Sequence, residues 1–203
     1  MRAALRAWRP LAALVVLALA ACAPVAVRRG SDAELLAAQA ARERALAPLE
    51  RWSLTARIAV SNGKDGGSGT LEWTQDGAEY TFVVRAPVTG KSFRLQGGPS
   101  GAVLEGLDAQ PLRDADAERL LARELGWHVP LADLAAWVRG LRAQGPAQLA
   151  FGADGLPSTL EQDGWKVEYR DWYTDRQPPL PQKVFAERAP YRVRVAIERW
   201  QLP

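Results

Sequence analysis

Cysteine and histidine are almost absent from this sequence of 203 residues, which contains one of each, Cys22 and His128. A single cysteine excludes an intramolecular disulfide bond, and one residue of each type excludes a Cys/His or His-rich zinc site. A serine triad would depend on His128, whose apolar neighbours Trp127 and Val129 favour a packed or half-buried side chain. We therefore predict that the protein is not an enzyme and needs no cofactor or metal; a hydrolase that uses His128 is an open alternative.

Long apolar runs are also lacking, since no stretch after residue 22 approaches the roughly 18 residues of a membrane-spanning helix. The short apolar stretch from Leu11 to Cys22 follows three arginines, Arg2, Arg6 and Arg9, and ends in small residues. This arrangement is typical of a secretory signal peptide. Because it ends in a cysteine, it predicts a bacterial lipoprotein that is cleaved after residue 21 and acylated on Cys22. An ordinary signal peptide with an incidental cysteine is the alternative.

The residue after the cysteine, Ala23, bears on the destination of the mature protein. In bacterial lipoproteins an aspartate at this position commonly marks retention at the inner membrane, so by that resemblance the alanine indicates the outer membrane. Two or three acyl chains hold a protein stably at a bilayer, because each buried methylene adds about 0.8 kcal/mol. We expect a lipid-anchored protein on the periplasmic face of the outer membrane.

No charge of either sign is in excess once the predicted signal peptide is removed. The 26 basic side chains fall by three to 23, and 23 acidic side chains oppose them. A neutral mature chain gives no support to nucleic-acid binding. We predict a signal peptide over residues 1–21, a lipidated tether over 22–30 and a single domain over 31–203.

The spacing of apolar residues along this domain changes from that of a helix to that of β-strands. Ser31 and Glu34 form a capping box, which predicts a helix that ends near Leu46 and covers a surface. From Trp52 onward, apolar and polar residues alternate, as in strands with one dry and one wet face. Short turns between these segments indicate an antiparallel meander. The predicted strands cover residues 52–61, 70–74, 80–85, 93–96, 160–169 with a tight turn at 162–165, 183–187 and 191–200.

Helices interrupt the strands in the middle of the chain. Asp114, Asp116 and Glu118 are acidic residues expected in a first helical turn, and Gly126 is expected after the last one. A second short helix is predicted from Leu131 to residue 140, either packed on the sheet or acting as a lid over a cavity. The fold class is therefore mainly β with helices.

Two glycine-containing segments resemble phosphate-binding loops. Strands flank residues 63–69 on both sides, whereas a phosphate cradle needs a helix N-terminus, so a hairpin turn is favoured. Gly90, Lys91 and Ser92 match the end of a P-loop, but Arg85 occupies the position of its first glycine. We therefore predict no nucleotide binding.

Motifs spread along the mature chain resemble those of the LolB family of outer-membrane lipoproteins. They are Gly69 to Trp73; Pro87 with Gly90; Gly126 and Trp127 followed by Val129 and Pro130; Leu134 with Trp137 and Gly140; Gln162 with Gly164, Trp165, Val167 and Tyr169; Leu180 with Pro181; and Trp200. The resemblance implies an incomplete, curved antiparallel β-barrel closed by short helices over an apolar cavity.

The function implied by this resemblance is physical transfer without covalent chemistry. A LolB-type protein receives lipoproteins from the soluble periplasmic carrier LolA, holds their acyl chains and inserts them into the inner leaflet of the outer membrane. Its partners would be LolA, client lipoproteins and outer-membrane phospholipid, with the protein itself a monomer. The alternative is a structural or lipid-binding envelope lipoprotein with a filled, tryptophan-rich core and no role in transfer.

The apolar faces of the predicted strands and helices supply the residues expected to line the cavity. They are Trp52, Leu54, Ile58, Leu71, Trp73, Tyr80, Phe82, Val84, Phe93, Leu95, Leu134, Trp137, Trp165 and Tyr169. The family's protruding loop usually reads Pro-Leu-Gly, whereas here Pro87, Val88 and Thr89 precede Gly90. We expect Val88 to be the membrane-inserting residue; a valine folded back onto the sheet is the alternative.

The signal sequence generates the first testable prediction. The Cys22→Ser substitution removes the thiol that would be acylated, so the precursor should remain uncleaved at this site and unlipidated. Density fractionation of labelled cells should place the wild-type protein in the outer membrane. Recovery of the wild type in the inner membrane or free in the periplasm would contradict the predicted location.

Overall fold

The computed structural model describes residues 30–86 and 92–203. These residues form three helices and eleven strands. The helices are α1 (Asp32–Leu46), α2 (Ala117–Leu125) and α3 (Leu131–Trp137). The strands are β1 (Arg51–Ser61), β2 (Gly66–Asp76), β3 (Glu79–Arg85), β4 (Ser92–Gly98), β5 (Gly101–Glu105), β6 (Leu112–Asp114), β7 (Ala147–Phe151), β8 (Pro157–Gln162), β9 (Trp165–Tyr173), β10 (Leu180–Arg188) and β11 (Tyr191–Gln201).

All eleven strands belong to one antiparallel sheet, in the order β6-β5-β4-β3-β2-β1-β11-β10-β9-β8-β7. The first and last strands of the chain pair in the middle of the sheet, so its free edges are β6 and β7. The segment that connects these two edges carries α2 and α3. The sheet is thus an open, curved barrel with helices on its open side, which confirms the predicted fold class.

The strand pattern follows from alternation in the sequence. In β1 every second side chain is buried, from Trp52 to Val60, and the intervening residues are wholly or partly exposed. Aromatic rings pack closely on this inner face: the ring centroids of Trp52 and Trp73 lie 4.9 Å apart, and Trp73 meets Phe82 edge-on at 4.5 Å. Such pairs stabilise a core by more than the burial of their apolar surface alone would contribute.

Three short strands and one helix boundary were not predicted correctly. Strands β5, β6 and β7 were missed because each has only three to five residues, too few for a clear alternation. Asp114, placed by the sequence in the first helical turn, is the last residue of β6 and forms ion pairs with Arg119 and Arg123 of α2. The residue that caps α2 is Asp116, whose side chain accepts hydrogen bonds from two backbone amides.

Helix α1 begins as predicted, with the Ser31 amide donating to the Glu34 carboxylate at 2.7 Å. Its buried face is only partly apolar. It buries Gln39 and Arg42 between Leu35 and Leu46, whereas Leu36 is 46% exposed. The polar residues on this face hold the helix in place, as described below.

The glycines of β2 allow close backbone approach. The turn after β1 covers residues 62–65, so the hairpin turn predicted over residues 63–69 extends too far, and Gly69 lies within β2. A Cβ at Gly69 would lie 2.4 Å from the carbonyl oxygen of Arg85. This residue is a glycine because neighbouring backbone occupies the space of a side chain.

Candidate functional site

An apolar cavity lies between the inner face of the sheet and the helices. Its volume is about 20 Å³, enough for about one water molecule. The side chains that line it come from β1 to β4 on one side and from α2, α3 and the segment between them on the other. They are Ile58, Leu71, Trp73, Phe82, Val84, Phe93, Leu121, Trp127, Val129, Leu131 and Leu134.

A much larger groove opens beside this cavity. It has a volume of about 840 Å³ and lies between the β2–β3 turn, the start of α2 and one side of α3. Trp73, Phe82 and Leu131 line both the groove and the buried cavity. These three side chains therefore lie between an accessible groove and a buried apolar interior.

The structure distributes the 14 predicted cavity residues over three places. Seven line the buried cavity: Ile58, Leu71, Trp73, Phe82, Val84, Phe93 and Leu134. Trp52 and Tyr80 line the groove together with Trp73 and Phe82. The remaining five are buried but border neither space: Leu54, Leu95, Trp137, Trp165 and Tyr169.

Four residues that line the cavity were absent from the predicted set: Leu121, Trp127, Val129 and Leu131. Leu121 and Leu131 belong to apolar helical stripes, and Trp127 and Val129 alternate around His128. These patterns indicate burial. They do not reveal which part of the sheet each residue faces, because that depends on how the helices cross the open side.

Helix α3 is held at its N-terminus by a carboxylate. Its N-cap, Pro130, provides no side-chain hydrogen bond, and Glu118 of α2 supplies one instead by accepting from the Leu131 amide at 2.8 Å. Burial raises the pKa of Glu118, while hydrogen bonds from the amides of Leu131 and Ala132 act in the opposite direction. The positive end of the α3 dipole also stabilises a negative charge on Glu118 at this position.

The C-terminal end of α3 is held by Arg42 of α1. The guanidinium donates to the Gly140 carbonyl oxygen at 2.6 Å, to the carbonyl oxygen of Arg139 and to that of Pro179 at 3.0 Å. It also lies over the ring of Trp172, 4.7 Å from the centroid. Burial lowers the pKa of Arg42 to about 10, so the carbonyl groups replace only part of its hydration.

A second arginine makes the converse contact. Arg139, just after α3, donates to the carbonyl oxygens of Leu46 and Leu49, both at 3.3 Å, at the end of α1. Burial also lowers the pKa of Arg139, whose guanidinium lies 5.6 Å from a ring centroid of Trp52. Each arginine thus binds the carbonyl end of the other's helix, and Arg139 does so at the edge of the groove.

Two tyrosines bring hydroxyl groups into the apolar region. Burial raises the pKa of Tyr80 to about 12, and the carboxylates of Glu118 and Asp116 add to the shift. Tyr169 is buried, and its hydroxyl has no hydrogen-bond partner among the described residues. Burial raises the pKa of Tyr169 as well, against the opposing effect of Arg42. Both side chains therefore remain neutral near pH 7.

His128 was expected to be packed or half-buried, and the expected burial is wrong, although the ring packs against a neighbouring aromatic side chain. Its side chain is exposed because it points away from the core between two buried neighbours, and its ring lies 4.3 Å from that of Tyr191. In the described part of the chain no hydrogen bond joins His128 to a hydroxyl or carboxylate, and no cluster of acidic, His or Cys side chains could hold a metal ion. The predicted lipidation residue Cys22 and loop residue Val88 lie outside the described ranges.

An open antiparallel sheet that curves around an apolar interior, with helices on its open side, defines a half-barrel of the LolA type. A solved structure of a LolA superfamily protein from Nitrosomonas europaea matches with a TM-score of 0.50 and 12% identity, over 77% of this chain and 87% of that one. The family model described as "Outer membrane lipoprotein LolB" matches residues 50–200. The chain belongs to the LolB family.

Curated relatives agree with this assignment. The outer-membrane lipoprotein LolB of Xanthomonas euvesicatoria is 37% identical over 96% of this chain and 97% of its own length. That of Xanthomonas campestris is 39% identical over 81% and 78%, and that of Xylella fastidiosa is 36% identical over 83% and 79%. These matches confirm the predicted family and the predicted location as an outer-membrane lipoprotein. Family and fold together support a role in lipoprotein localisation, a trafficking function.

Among the residues that the structure describes, no helix combines the length and apolar character needed to cross a membrane.

The contacts of Arg42 generate the second testable prediction. Arg42→Met keeps much of the aliphatic stem but leaves the carbonyl oxygens of Arg139 and Gly140 without a charged donor. The free energy of unfolding should fall by about 1–3 kcal/mol in chemical denaturation. Amide hydrogen exchange in α3 should become faster, because the C-terminal attachment of this helix is lost.

Arg142→Met is the matched control. It removes the same charge from a more exposed ion pair with Glu43, at 2.6 Å, and should cost less than about 1 kcal/mol. Equal losses in the two variants would show that Arg42 does not hold α3 in the way inferred from its contacts.

Proposed function

We propose that this protein receives lipoproteins from a soluble periplasmic carrier of the LolA type. It then holds their acyl chains between the sheet and the helices and inserts them into the inner leaflet of the outer membrane. The observation that carries the proposal is the junction of the open groove and the apolar cavity at Trp73, Phe82 and Leu131. An acyl chain that entered the groove would meet only apolar side chains beyond this point.

Water makes such a compartment necessary. An acyl chain of about 16 carbons exposes more than roughly 10 kcal/mol of apolar surface, at about 0.8 kcal/mol per methylene. A lipoprotein with two or three chains therefore needs an apolar environment throughout its passage across the periplasm. Aromatic and aliphatic walls provide this environment without demanding one particular shape.

Acceptance of a client requires the helices to move. The closed cavity of about 20 Å³ is far too small for an acyl chain. Helices α2 and α3 pack on the sheet mainly through apolar side chains. The polar attachments of α3 lie at its ends, from Glu118 at the first turn and from Arg42 and the hydrogen bond of Trp137 to Gln162 at the last, and Asp114 of β6 pairs with α2. Acyl chains could replace the apolar helix contacts at little net cost in free energy, because one apolar surface exchanges for another. No nucleotide is needed for such an exchange.

The small volume of the cavity favours a second function, that of a structural envelope lipoprotein with a filled core. The two functions differ in whether the folded protein takes up an acyl chain at all. A fluorescent long-chain fatty acid, titrated into the folded mature chain without its lipid anchor, distinguishes them. Saturable binding is expected for a transfer protein, and its absence would support the structural role.

Phe82 provides the third testable prediction. Phe82→Gln places a polar side chain where groove and cavity meet, and the affinity for the acyl probe should fall by about tenfold. Thr81→Gln is the matched control, because Thr81 points to the other face of the same strand and should leave affinity unchanged. His128→Ala should likewise leave both probe binding and client transfer intact; a large loss of transfer would revive a catalytic role.

Val88 provides the fourth prediction, which separates holding a client from delivering it. An outward valine would contribute only about 1.5–2 kcal/mol on burial in lipid, too little to anchor the protein but enough to bias its approach to the bilayer. Val88→Glu should therefore still accept a client from the carrier but fail to insert it, whereas Val88→Leu should insert normally. The assay is co-precipitation of the client with each variant, followed by recovery of the client in liposomes. Normal insertion by Val88→Glu would contradict the role of this loop.

A further inference from the structure

The outer face of the sheet carries a second groove, on the side away from the apolar interior. It crosses β2, β1, β11 and β10 and has a volume of about 450 Å³. Its outward-facing residues form two rows across paired strands. Ser68, Ala59, Arg194 and Phe185 make one row; Thr70, Arg57 and Ala196 make the other. The alanines leave a depression between larger side chains, and its size is within the range of small-molecule sites.

The walls of this groove have a positive balance of charge. Arg57 forms an ion pair with Glu198 at 3.0 Å, and Arg170 and Lys166 share Glu168. Arg194 has no carboxylate within ion-pair distance among the described residues. Two of these cations, Arg57 and Arg194, line the groove, and of the two only Arg194 has no ion-pair partner in the described part of the chain; Arg170 lies beside the groove over the ring of Phe185.

Phe185 positions the cations. The guanidinium of Arg170 lies 4.5 Å from its ring centroid and that of Arg194 lies 5.4 Å away. Stacking on an aromatic ring orients a guanidinium and leaves its N–H groups available to a ligand. Ser68 and Thr70 add hydroxyl groups that make no hydrogen bond within the described part of the chain. Guanidinium and hydroxyl donors converging on a shallow groove are the chemistry that recognises phosphate.

We propose that this groove binds the phosphate of an anionic phospholipid headgroup. A lipoprotein of the outer membrane is held within reach of such headgroups, whereas a protein partner would need an apolar anchor. The one aromatic side chain of the groove, Phe185, is covered by two arginines and does not provide one. The site is independent of acyl-chain transfer. It would fix which face of the sheet meets the bilayer, which an acyl anchor on a tether does not do.

The test uses residues 22–203, produced without the signal peptide and with Cys22→Ser so that no acyl anchor contributes, and measures sedimentation with phospholipid vesicles. Binding to vesicles that contain phosphatidylglycerol should exceed binding to pure phosphatidylcholine. Arg194→Gln should weaken the former by about fivefold. Thr70→Val removes a hydroxyl without changing charge and should also weaken binding, which a general electrostatic attraction would not explain.

Arg94→Gln is the matched control. Arg94 is exposed on β4, three strands from β1, and forms no ion pair among the described residues. Arg194 lies on β11, four strands from β4, so the two side chains are about 19 Å apart, more than the screening length of about 8 Å at physiological salt. Its loss should change vesicle binding by less than about a factor of two. Equal losses for Arg94→Gln and Arg194→Gln would overturn the proposal in favour of general attraction.

Two further outcomes would also overturn it. Inorganic phosphate, titrated alone in a calorimeter, should bind the protein far more weakly than the vesicles do; binding of free phosphate as tight as binding to vesicles would indicate a site for free phosphate. If Arg194→Gln bound vesicles normally but no longer accepted a client from the carrier, the groove would be a protein-docking surface. Acyl-probe binding, measured on the same variants, should be unchanged, so failure here is distinguishable from failure of the transfer proposal.

Discussion

The inner face of the sheet is largely apolar, and the sheet does not close. β6 and β7 are free edges, so the aromatic and aliphatic side chains of this face must be covered by something other than strand pairing. Helices α2 and α3 cover them, and α1 packs against the end of α3. Most of the polar contacts of the helices follow from this need for a cover. The terminal N–H and C=O groups of a short helix have no partners within the helix and must find them in neighbouring segments.

Those contacts join the helices to one another more than to the sheet. Arg42 and Arg139 each bind carbonyl groups at the end of the other's helix, and Glu118 joins α2 to α3. Apart from the ion pairs of Asp114 with α2 and the hydrogen bond from Trp137 to Gln162, the helices meet the sheet mainly through apolar side chains. This division fits the transfer proposed above, in which an acyl chain would replace apolar contacts while the polar contacts hold the helices together.

The two faces of the sheet therefore have different chemistry. The inner face offers apolar surface next to an open groove, and the outer face offers cations and hydroxyl groups around a shallow depression. Successive side chains of a strand point to opposite faces of the sheet, so strands such as β1 and β11 contribute to both faces. Ile58 faces the cavity, and Arg57 beside it faces the outer groove. These are the chemistries of the two ligands proposed above, lipid tails for the inner face and lipid headgroups for the outer face.

The sequence by itself determined the long strands, the capping box of α1 and the family. The alternation of apolar and polar residues in a strand and the cap of a helix depend on residues that are close together in the chain. The motifs of the family can likewise be read in order along the sequence. The tertiary structure decided which apolar residues border the cavity: Leu54 and Tyr169 are buried elsewhere, whereas Leu121 and Trp127 line it. It also decided that Arg42, on a helix expected only to cover a surface, binds the end of α3. Such contacts join residues about 100 positions apart, and local pattern carries no information about them.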